Sequence, residues 1–460
     1  MEQTIETENR GGLRNILTLA WPTMLEQILQ TAVQYIDTIM VGTLGTAATA
    51  AVGATTTVNW LIGSSISALG VGFLAYISQA LGAKDRERAR DASAQAVFVT
   101  LVVGVLFTVV TMLLHRQVPR WMRVDESILD SASLYFLIFY SPILFRCASI
   151  LFSTVLRAAG DTRTPMFSGL IVNALNVVLN FFLIYKTRRV EGLGHSWLIP
   201  GAGWGVAGAA AASAVSFVAG GLLMTAALFH HREVSPLGHR FLPKKEVLAP
   251  CLKVALPNMA QRFCTSFGYV VFASMINSLG ELSTAAHTVA NTVESAFYVP
   301  GFGMQSAAAT LTGNCIGAKD PLSFKKMARN TGFLEVGMMI VSGGLLFAFA
   351  PDLVSLFSKD PAVIALGGTV LRMVALSEPF YGLSIVTEGM LQGAGKTFVP
   401  FLFNVLCMWG VRILGTFLGI HFWNGTLIMA WGCMIANNLL LMLLFRLYYH
   451  FGRWNPLKTA

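Results

Sequence analysis

The chain has 460 residues, of which 55% are hydrophobic and only 12% charged, and its mean hydropathy is +0.63. Soluble globular domains carry about 25% charged residues, so this composition excludes an ordinary soluble protein and indicates a lipid bilayer as the surrounding medium. The net charge of +9 does not require nucleic acid as a partner, because Lys and Arg in the cytoplasmic loops of a membrane protein account for it.

Apolar segments of about 20 residues, long enough to cross a bilayer, recur along the whole chain. The sequence predicts twelve spans, at 14–40, 50–78, 92–115, 127–155, 165–185, 203–229, 250–277, 286–314, 328–350, 362–390, 399–421 and 425–448. With the N-terminus inside, most Lys and Arg residues fall in cytoplasmic loops, which agrees with the positive-inside rule. We therefore expect a multi-pass protein of the cell (inner) membrane with both termini cytoplasmic.

The two halves of the chain are copies of each other. A constant offset of 235 residues maps many residues of the first half onto identical residues of the second half without a gap. The matched sets are Pro22 with Pro257, Gly45 with Gly280, Gly82-Ala83-Lys84-Asp85 with Gly317-Ala318-Lys319-Asp320, Leu156 with Leu391, Gly160 with Gly395, and Pro165 with Pro400. Each copy therefore contributes six spans.

These observations predict the fold class. It is an all-α integral membrane protein with twelve transmembrane helices in two parallel six-helix repeats, related by a pseudo-two-fold axis along the membrane normal. We expect an N-lobe at 1–235 (spans 1–6 and the start of the linker) and a C-lobe at 236–460 (the end of the linker and spans 7–12). Parallel repeats of this kind leave a cleft near the midplane, which is where transporters bind their substrates.

Asp37 is the most informative residue of span 1, because it lies well inside the hydrophobic run at 21–45. A charged Asp near the centre of a spanning helix costs about 2.5–3.5 kcal/mol, so it has to face a partner or an aqueous cavity. The offset maps Asp37 onto Phe272, so only the first copy carries this carboxylate. A polar residue satisfied inside the bundle is the alternative; we favour a functional role.

Several motifs together resemble those of the multidrug and toxic compound extrusion (MATE) family. The motifs are P-x3-E-x10-D-T-I-x-V-G-x-L-G from Pro22 to Gly45, the G-A-K-D loops after spans 2 and 8, L-R-A-A-G-D-T-R-T-P from Leu156 to Pro165, and Asn176 with Asn180 in span 5. They occur in order, and the resemblance covers the chain from span 1 to span 12.

The resemblance implies a secondary antiporter that exports amphipathic, often cationic, drugs or metabolites. Inward flow of Na+ or H+ drives the export, and the two lobes alternate between outward-open and inward-open states. It implies a small-molecule substrate, a monomer, no enzymatic activity and no cofactor besides the coupling ion. The implied cation-coupling site consists of Asp37, Asn176, Asn180 and Ser213 with the backbone carbonyl of Ala209, and Na+ would bind at the first three.

The sequence departs from the family pattern at this site and in the second lobe. Asn180 stands where many members have a second Asp, and Ser213 stands where Thr is usual. Thr265 and Tyr381 occupy the positions at which one branch has acidic residues. A lone carboxylate shielded from water can exchange a proton near neutrality. Equally, a carboxylate with amide, hydroxyl and carbonyl oxygens suits a small hard cation, so both ions stay open.

Further polar and aromatic residues are candidates for the substrate cleft. They are Gln30, Gln34, Glu294, Phe297, Tyr298 and Gln305. Glu294 either attracts cationic substrates or forms a buried ion pair with an in-span arginine. The alternative function is a lipid-linked oligosaccharide or lipid-precursor flippase on a related fold, which predicts more than twelve spans and a cationic cavity. A membrane-embedded enzyme lacks any convergent set of catalytic residues.

Overall fold

The first copy of the sequence repeat, which we call the first lobe, contains helices α1–α8 and one β-hairpin. A computed structural model describes residues 11–122, 124–192 and 195–458. The elements of the first lobe are α1 (Leu13–Gly42), α2 (Thr46–Gly82), α3 (Arg86–Leu114), α4 (Gln117–Trp121), α5 (Glu126–Tyr140), α6 (Ile143–Ala158), α7 (Arg163–Leu183), β1 (Lys186–Gly192), β2 (His195–Ala202) and α8 (Gly205–His230).

The second lobe repeats this order of helices without the hairpin in its described part. Its elements are α9 (Lys245–Asn277), α10 (Glu281–Gly317), α11 (Pro321–Ser355), α12 (Pro361–Ala375), α13 (Glu378–Gly393), α14 (Phe398–Val405), a π-helical segment (Leu406–Ile413), α15 (Leu414–Trp423) and α16 (Leu427–Phe451), followed by a 3-10 turn (Pro456–Lys458). The segments from α14 to α15 form one continuous helix, which is the eleventh span.

The predicted twelve spans all have a helical counterpart. Two of them are bent pairs, because α5 meets α6 at 46° and α12 meets α13 at 54°. Within the described residues, seven helices, or nine with each bent pair counted as one span, are long and apolar enough to cross a membrane. The remaining long helices, α1, α9 and α10, have 30, 33 and 37 residues and contain more polar side chains.

A β-hairpin connects the fifth and sixth spans, where the sequence pattern predicts no strand. Its strand β1 pairs antiparallel with β2, from Lys186 opposite Ala202 to Gly192 opposite His195. The preceding helix ends at Leu183, two residues before the predicted end of span 5. The hairpin therefore returns the chain to the end of the first lobe at which α7 finishes, and α8 begins there.

The duplication is visible in the two loops that follow α2 and α10. Lys84 and Lys319 both have left-handed backbone conformations, with φ of 62° and 54°. The next residue in each loop, Asp85 or Asp320, caps the following helix by accepting a hydrogen bond from a backbone N–H, at 3.0 and 2.9 Å. We call the end of the molecule that holds these two loops the GAKD end; the sequence predicts that it is cytoplasmic.

The two lobes pack against each other through α1, α2, α9 and α10, with α1 on α10 and α2 on α9. Near the GAKD end, Gln79 Nε2 donates to the carbonyl of Gly393 at 2.8 Å. Farther along α1, Tyr35 donates to the carbonyl of Thr292 at 3.2 Å. Hydrogen bonds between the lobes thus extend from the GAKD end to the C-terminal half of α1.

The linker between the lobes is held against the start of α3. Lys244 Nζ and the ring of His239 both contact Asp91 at 2.7 Å, and Arg86 pairs with Glu233 at 2.6 Å. The polar linker that the sequence places between the copies is therefore fixed to the first lobe by ion pairs and hydrogen bonds.

Candidate functional site

Close packing of α7 against α8 brings the polar residues of the first lobe together. Asn176 and Asn180 lie four residues apart on α7 and so share one face of that helix. On α8, a Cβ atom at Gly208 would clash with the carbonyl oxygen of Leu183, so glycine is what allows this approach. The small residues around Gly208 place Ser213 beside α7, and α1 closes the site with Asp37.

A chain of hydrogen bonds connects four of the five residues that the sequence assigns to the cation-coupling site. Asn180 Nδ2 donates to Asp37 Oδ1 at 2.6 Å and to Asn176 Oδ1 at 3.1 Å. Asn176 Nδ2 in turn donates to Ser213 Oγ at 3.3 Å. Asn176 and Asn180 are buried, whereas Asp37 and Ser213 are half-buried. The arrangement leaves one side of Asp37 open to the space beside it.

That space is a cavity of about 60 Å³ inside the first lobe. Its lining residues are Asp37, Thr38, Val41, Val52, Tyr135, Asn180, Ala209 and Ser213. One water molecule needs roughly 10–15 Å³ measured in this way, so the cavity has room for a small ion with a few waters. Pockets for drug-sized molecules have about 300–1,000 Å³. The cavity is therefore of the size of an ion site, and a drug-sized substrate would need another site.

The donor set of the cavity matches the two chemistries that the sequence leaves open. It combines one carboxylate with amide, hydroxyl and backbone oxygens, which are ligands that hard cations prefer. The structure adds two polar residues that the sequence patterns did not reveal, Thr38 and Tyr135. Thr38 belongs to the same D-T-I motif as Asp37, which was an available signal. Tyr135 on α5 had none, because only the packing of α5 against α8 brings it to the cavity.

The candidate cleft residues lie in three different environments. Gln30 and Gln34 are exposed on α1, and Phe297 and Tyr298 are half-buried on α10. Tyr298 packs edge-on against Tyr381, with ring centroids 5.6 Å apart. The last two candidates, Glu294 and Gln305, are buried, with 6% and 8% of their surface exposed. In this conformation they lie inside the second lobe and do not face an open cleft.

The second lobe has a different residue at the position that matters most in the first lobe's site. Phe272, the repeat counterpart of Asp37, is buried, and the guanidinium of Arg412 lies 4.2 Å from its ring centroid. The π-helical segment in the eleventh span carries Arg412. Arg412 is also within electrostatic range of Glu294. A fixed cation on an aromatic ring thus stands where the first lobe has its carboxylate.

A twelve-span helical fold in two repeated lobes, with a polar cavity of ionic size in one of them, defines a multi-pass membrane transporter. A family profile described as MatE matches residues 22–182 and 257–418, one segment in each lobe. The chain belongs to this family, as its motifs predict.

Relatives and solved structures agree with this assignment. A "probable multidrug resistance protein NorM" of Thermotoga maritima is 27% identical over 441 residues, covering 96% of this chain and 93% of that protein. The "multidrug resistance protein PmpM" of Pseudomonas aeruginosa is 26% identical over 423 residues, covering 90% and 85%. A structure described as the outward-facing conformation of a multidrug resistance MATE family transporter has a TM-score of 0.90 at 23% identity, with full coverage of both chains. The structural likeness confirms the fold.

Proposed function

We propose that this chain is an antiporter that exports amphipathic, cationic small molecules in exchange for Na+ or H+. The single observation that carries the proposal is the cavity of about 60 Å³ in which Asp37 meets Asn180 at 2.6 Å. Binding of the ion at Asp37 neutralises a charge that would otherwise be costly inside the bilayer. The names of the relatives as multidrug resistance proteins support a substrate class of drug-like molecules.

The packing of the lobes supports an alternating-access mechanism within this proposal. Interlobe hydrogen bonds extend from the GAKD end to Tyr35, and the exposed Gln34 and Thr38 lie beside and beyond that contact on α1. This state would be open on the side opposite the GAKD end. Substrate would bind between the lobes, since the ion cavity is too small for it. Occupation of Asp37 would change the packing of α1 and thereby release the contacts to α10.

The test is efflux of ethidium or norfloxacin from everted vesicles, with Na+ and H+ gradients imposed separately. Wild type is expected to transport under one of the two gradients, which names the ion, and Asp37→Asn is expected to lose this dependence. Asp125→Asn is the matched control, because the exposed Asp125 only caps α5 and Asn caps helices equally well.

Failure of either gradient to drive export of any cationic dye would exclude multidrug efflux and favour the flippase alternative. Wild-type transport by Asp37→Asn would leave the family assignment intact but would remove Asp37 as the coupling residue.

A further inference from the structure

A buried carboxyl group in the second lobe has no role in the site described above. Glu335 lies in the middle of α11, and none of its surface is exposed. Neither of its carboxyl oxygens has a hydrogen-bond partner. Its position interrupts an apolar run at 333–341, although no motif marks it in the sequence. A side chain of this kind is expensive inside a membrane protein and is by default a candidate for function.

Two glycines on neighbouring helices make room for this carboxyl group. A Cβ atom at Gly301 of α10 would lie 2.8 Å from Glu335 Oε1, and one at Gly382 of α13 would lie 3.0 Å from it. The other close neighbours of these glycines, Met339 and Ile385, are buried and apolar. An ionised carboxylate without a partner is very unfavourable in such surroundings, and the group takes up a proton instead.

A second carboxyl group lies close by but in a different local setting. Glu378 is in the first turn of α13, directly after the 54° bend, and 1% of its surface is exposed. Its Oε2 atom has no hydrogen-bond partner. A helix N-terminus favours a negative charge on a side chain in its first turn, such as Glu378, whereas the surroundings of Glu335 in the middle of α11 are apolar. Glu335 and Glu294 are both near enough to repel a negative charge on Glu378, and such neighbouring carboxylates cannot all be ionised.

We propose that Glu335 and Glu378 form a second proton-binding site, located in the second lobe and separate from Asp37. A proton is the fitting ligand, since among the described residues neither carboxyl oxygen of Glu335 has a hydrogen-bond partner and a bound cation would need several further oxygen ligands. Transporters often build their ion sites at discontinuous helices, and Glu378 follows such a break directly. In the proposed site, the proton exchanges with water when α13 moves about this bend. The first lobe has Thr100 and Ile143 at the corresponding repeat positions, so this site is not duplicated.

Other titratable and charged groups belong to the same electrostatic environment. Glu294 and Tyr298 on α10 and Tyr381 on α13 interact with Glu378. Tyr269 on α9, Glu388 on α13 and Arg412 in the eleventh span interact in turn with those three residues. Glu388 differs from the proposed pair, because Gln261, Gln392 and Asn404 donate hydrogen bonds to it at 2.9, 3.1 and 3.3 Å. These amides satisfy its charged form, which makes Glu388 a matched control on the same helix.

The experiment is infrared difference spectroscopy of the purified full-length protein between neutral and alkaline pH. A background that combines Asp37→Asn with Glu294→Gln removes the signals of the first lobe and of the third buried carboxyl group. We expect a protonated-carboxyl band at neutral pH that Glu335→Gln removes, that Glu378→Gln shifts or removes, and that Glu388→Gln leaves in place. Transfer to D2O is expected to shift the band, since the proton is exchangeable. Because Gln resembles a protonated Glu in shape, Glu335→Gln is expected to keep the wild-type thermal midpoint.

A band that persists in Glu335→Gln, or one that does not shift in D2O, would overturn the proposal. Strong destabilisation of Glu335→Gln would also overturn it, because that result would mean that the native group is ionised and paired. Only the consequence for transport rests on the proposed exporter function: Glu335→Gln would then move fewer protons per substrate exported than wild type. The infrared result stands even if no drug is exported, so the two failures are distinguishable.

Discussion

The Asn180→Asp variant is the sharpest test of the proposed ion site, because it places a second carboxylate against Asp37. Asn180 Nδ2 is now 2.6 Å from Asp37 Oδ1. A cation bound at Asp37 would have the new charge within roughly 4 Å, where two unit charges interact by about 1 kcal/mol in water and about 4 kcal/mol at an effective dielectric constant of 20. Na+ affinity should consequently rise by at least about fivefold, since about 1.4 kcal/mol corresponds to tenfold.

Calorimetric titration of purified protein with NaCl, at constant ionic strength, measures this change. The control is the charge swap, Asp37→Asn combined with Asn180→Asp, which keeps one carboxylate and one amide across the same contact. Its Na+ affinity is expected to stay within about tenfold of wild type. An unchanged or weaker affinity in Asn180→Asp, with the thermal midpoint preserved, would refute the reasoning that these two residues bind a cation together.

Three further variants test contacts that hold the helices together. Arg157→Gln removes the guanidinium that donates to both carboxyl oxygens of Glu26 at 2.7 Å. The free energy of unfolding should fall by about 1.5–3 kcal/mol and the thermal midpoint with it. An unchanged midpoint would show that the pair does not stabilise the fold. Gln79→Leu removes the 2.8 Å hydrogen bond to the carbonyl of Gly393, so the free energy of association of the two lobes should weaken by about 1 kcal/mol. Interlobe cysteine cross-linking at the GAKD end should then fall, and unchanged cross-linking would show that this bond does not hold the lobes together. Gly208→Val should separate α8 from α7 and reduce the ion dependence of efflux, and equal ion dependence would show that the close approach is dispensable.

The matched control for Gly208→Val is Gly337→Val on α11, where a Cβ atom would meet nothing within 4 Å. Both variants place a β-branched residue inside a long helix, so they share the same change in helix propensity. The control is expected to keep the ion dependence of efflux. An equal loss in both variants would attribute the effect to helix propensity and not to the approach of α8 to α7.

The positions of the spans could be predicted because the apolar runs are long and the loops are polar. The two bends could not, since a helix that is apolar on all sides gives no pattern that distinguishes straight from bent. Proline lies at both breaks, at Pro142 and Pro379, because its ring removes a backbone donor. Pro22, Pro257 and Pro300, however, lie inside continuous helices, so proline alone does not predict a bend. The sequence pattern does not predict the β-hairpin, because β1 is mostly charged, β2 has a short apolar run, and neither strand alternates apolar with polar residues.

The residues of the candidate site could be named largely through the motif resemblance, together with the four-residue spacing of Asn176 and Asn180. Sequence spacing shows which side chains share a helix face, but it does not show which helices meet. For that reason Tyr135 could not be assigned to the cavity. For Glu294 the sequence left open whether it faces the cleft or lies buried, and only the structure places it inside the second lobe. No sequence motif pointed to the buried carboxyl of Glu335.

The most direct test of the central claim is the ion movement that a substrate gradient drives. Purified protein in proteoliposomes, with a cationic dye on one side only, is followed with Na+-sensitive and pH-sensitive indicators. We predict that dye moving out of the donor compartment draws Na+ or H+ in the opposite direction, and that Asp37→Asn abolishes this countermovement. Dye transport without any ion movement, or the same countermovement in Asp37→Asn, would contradict the claim.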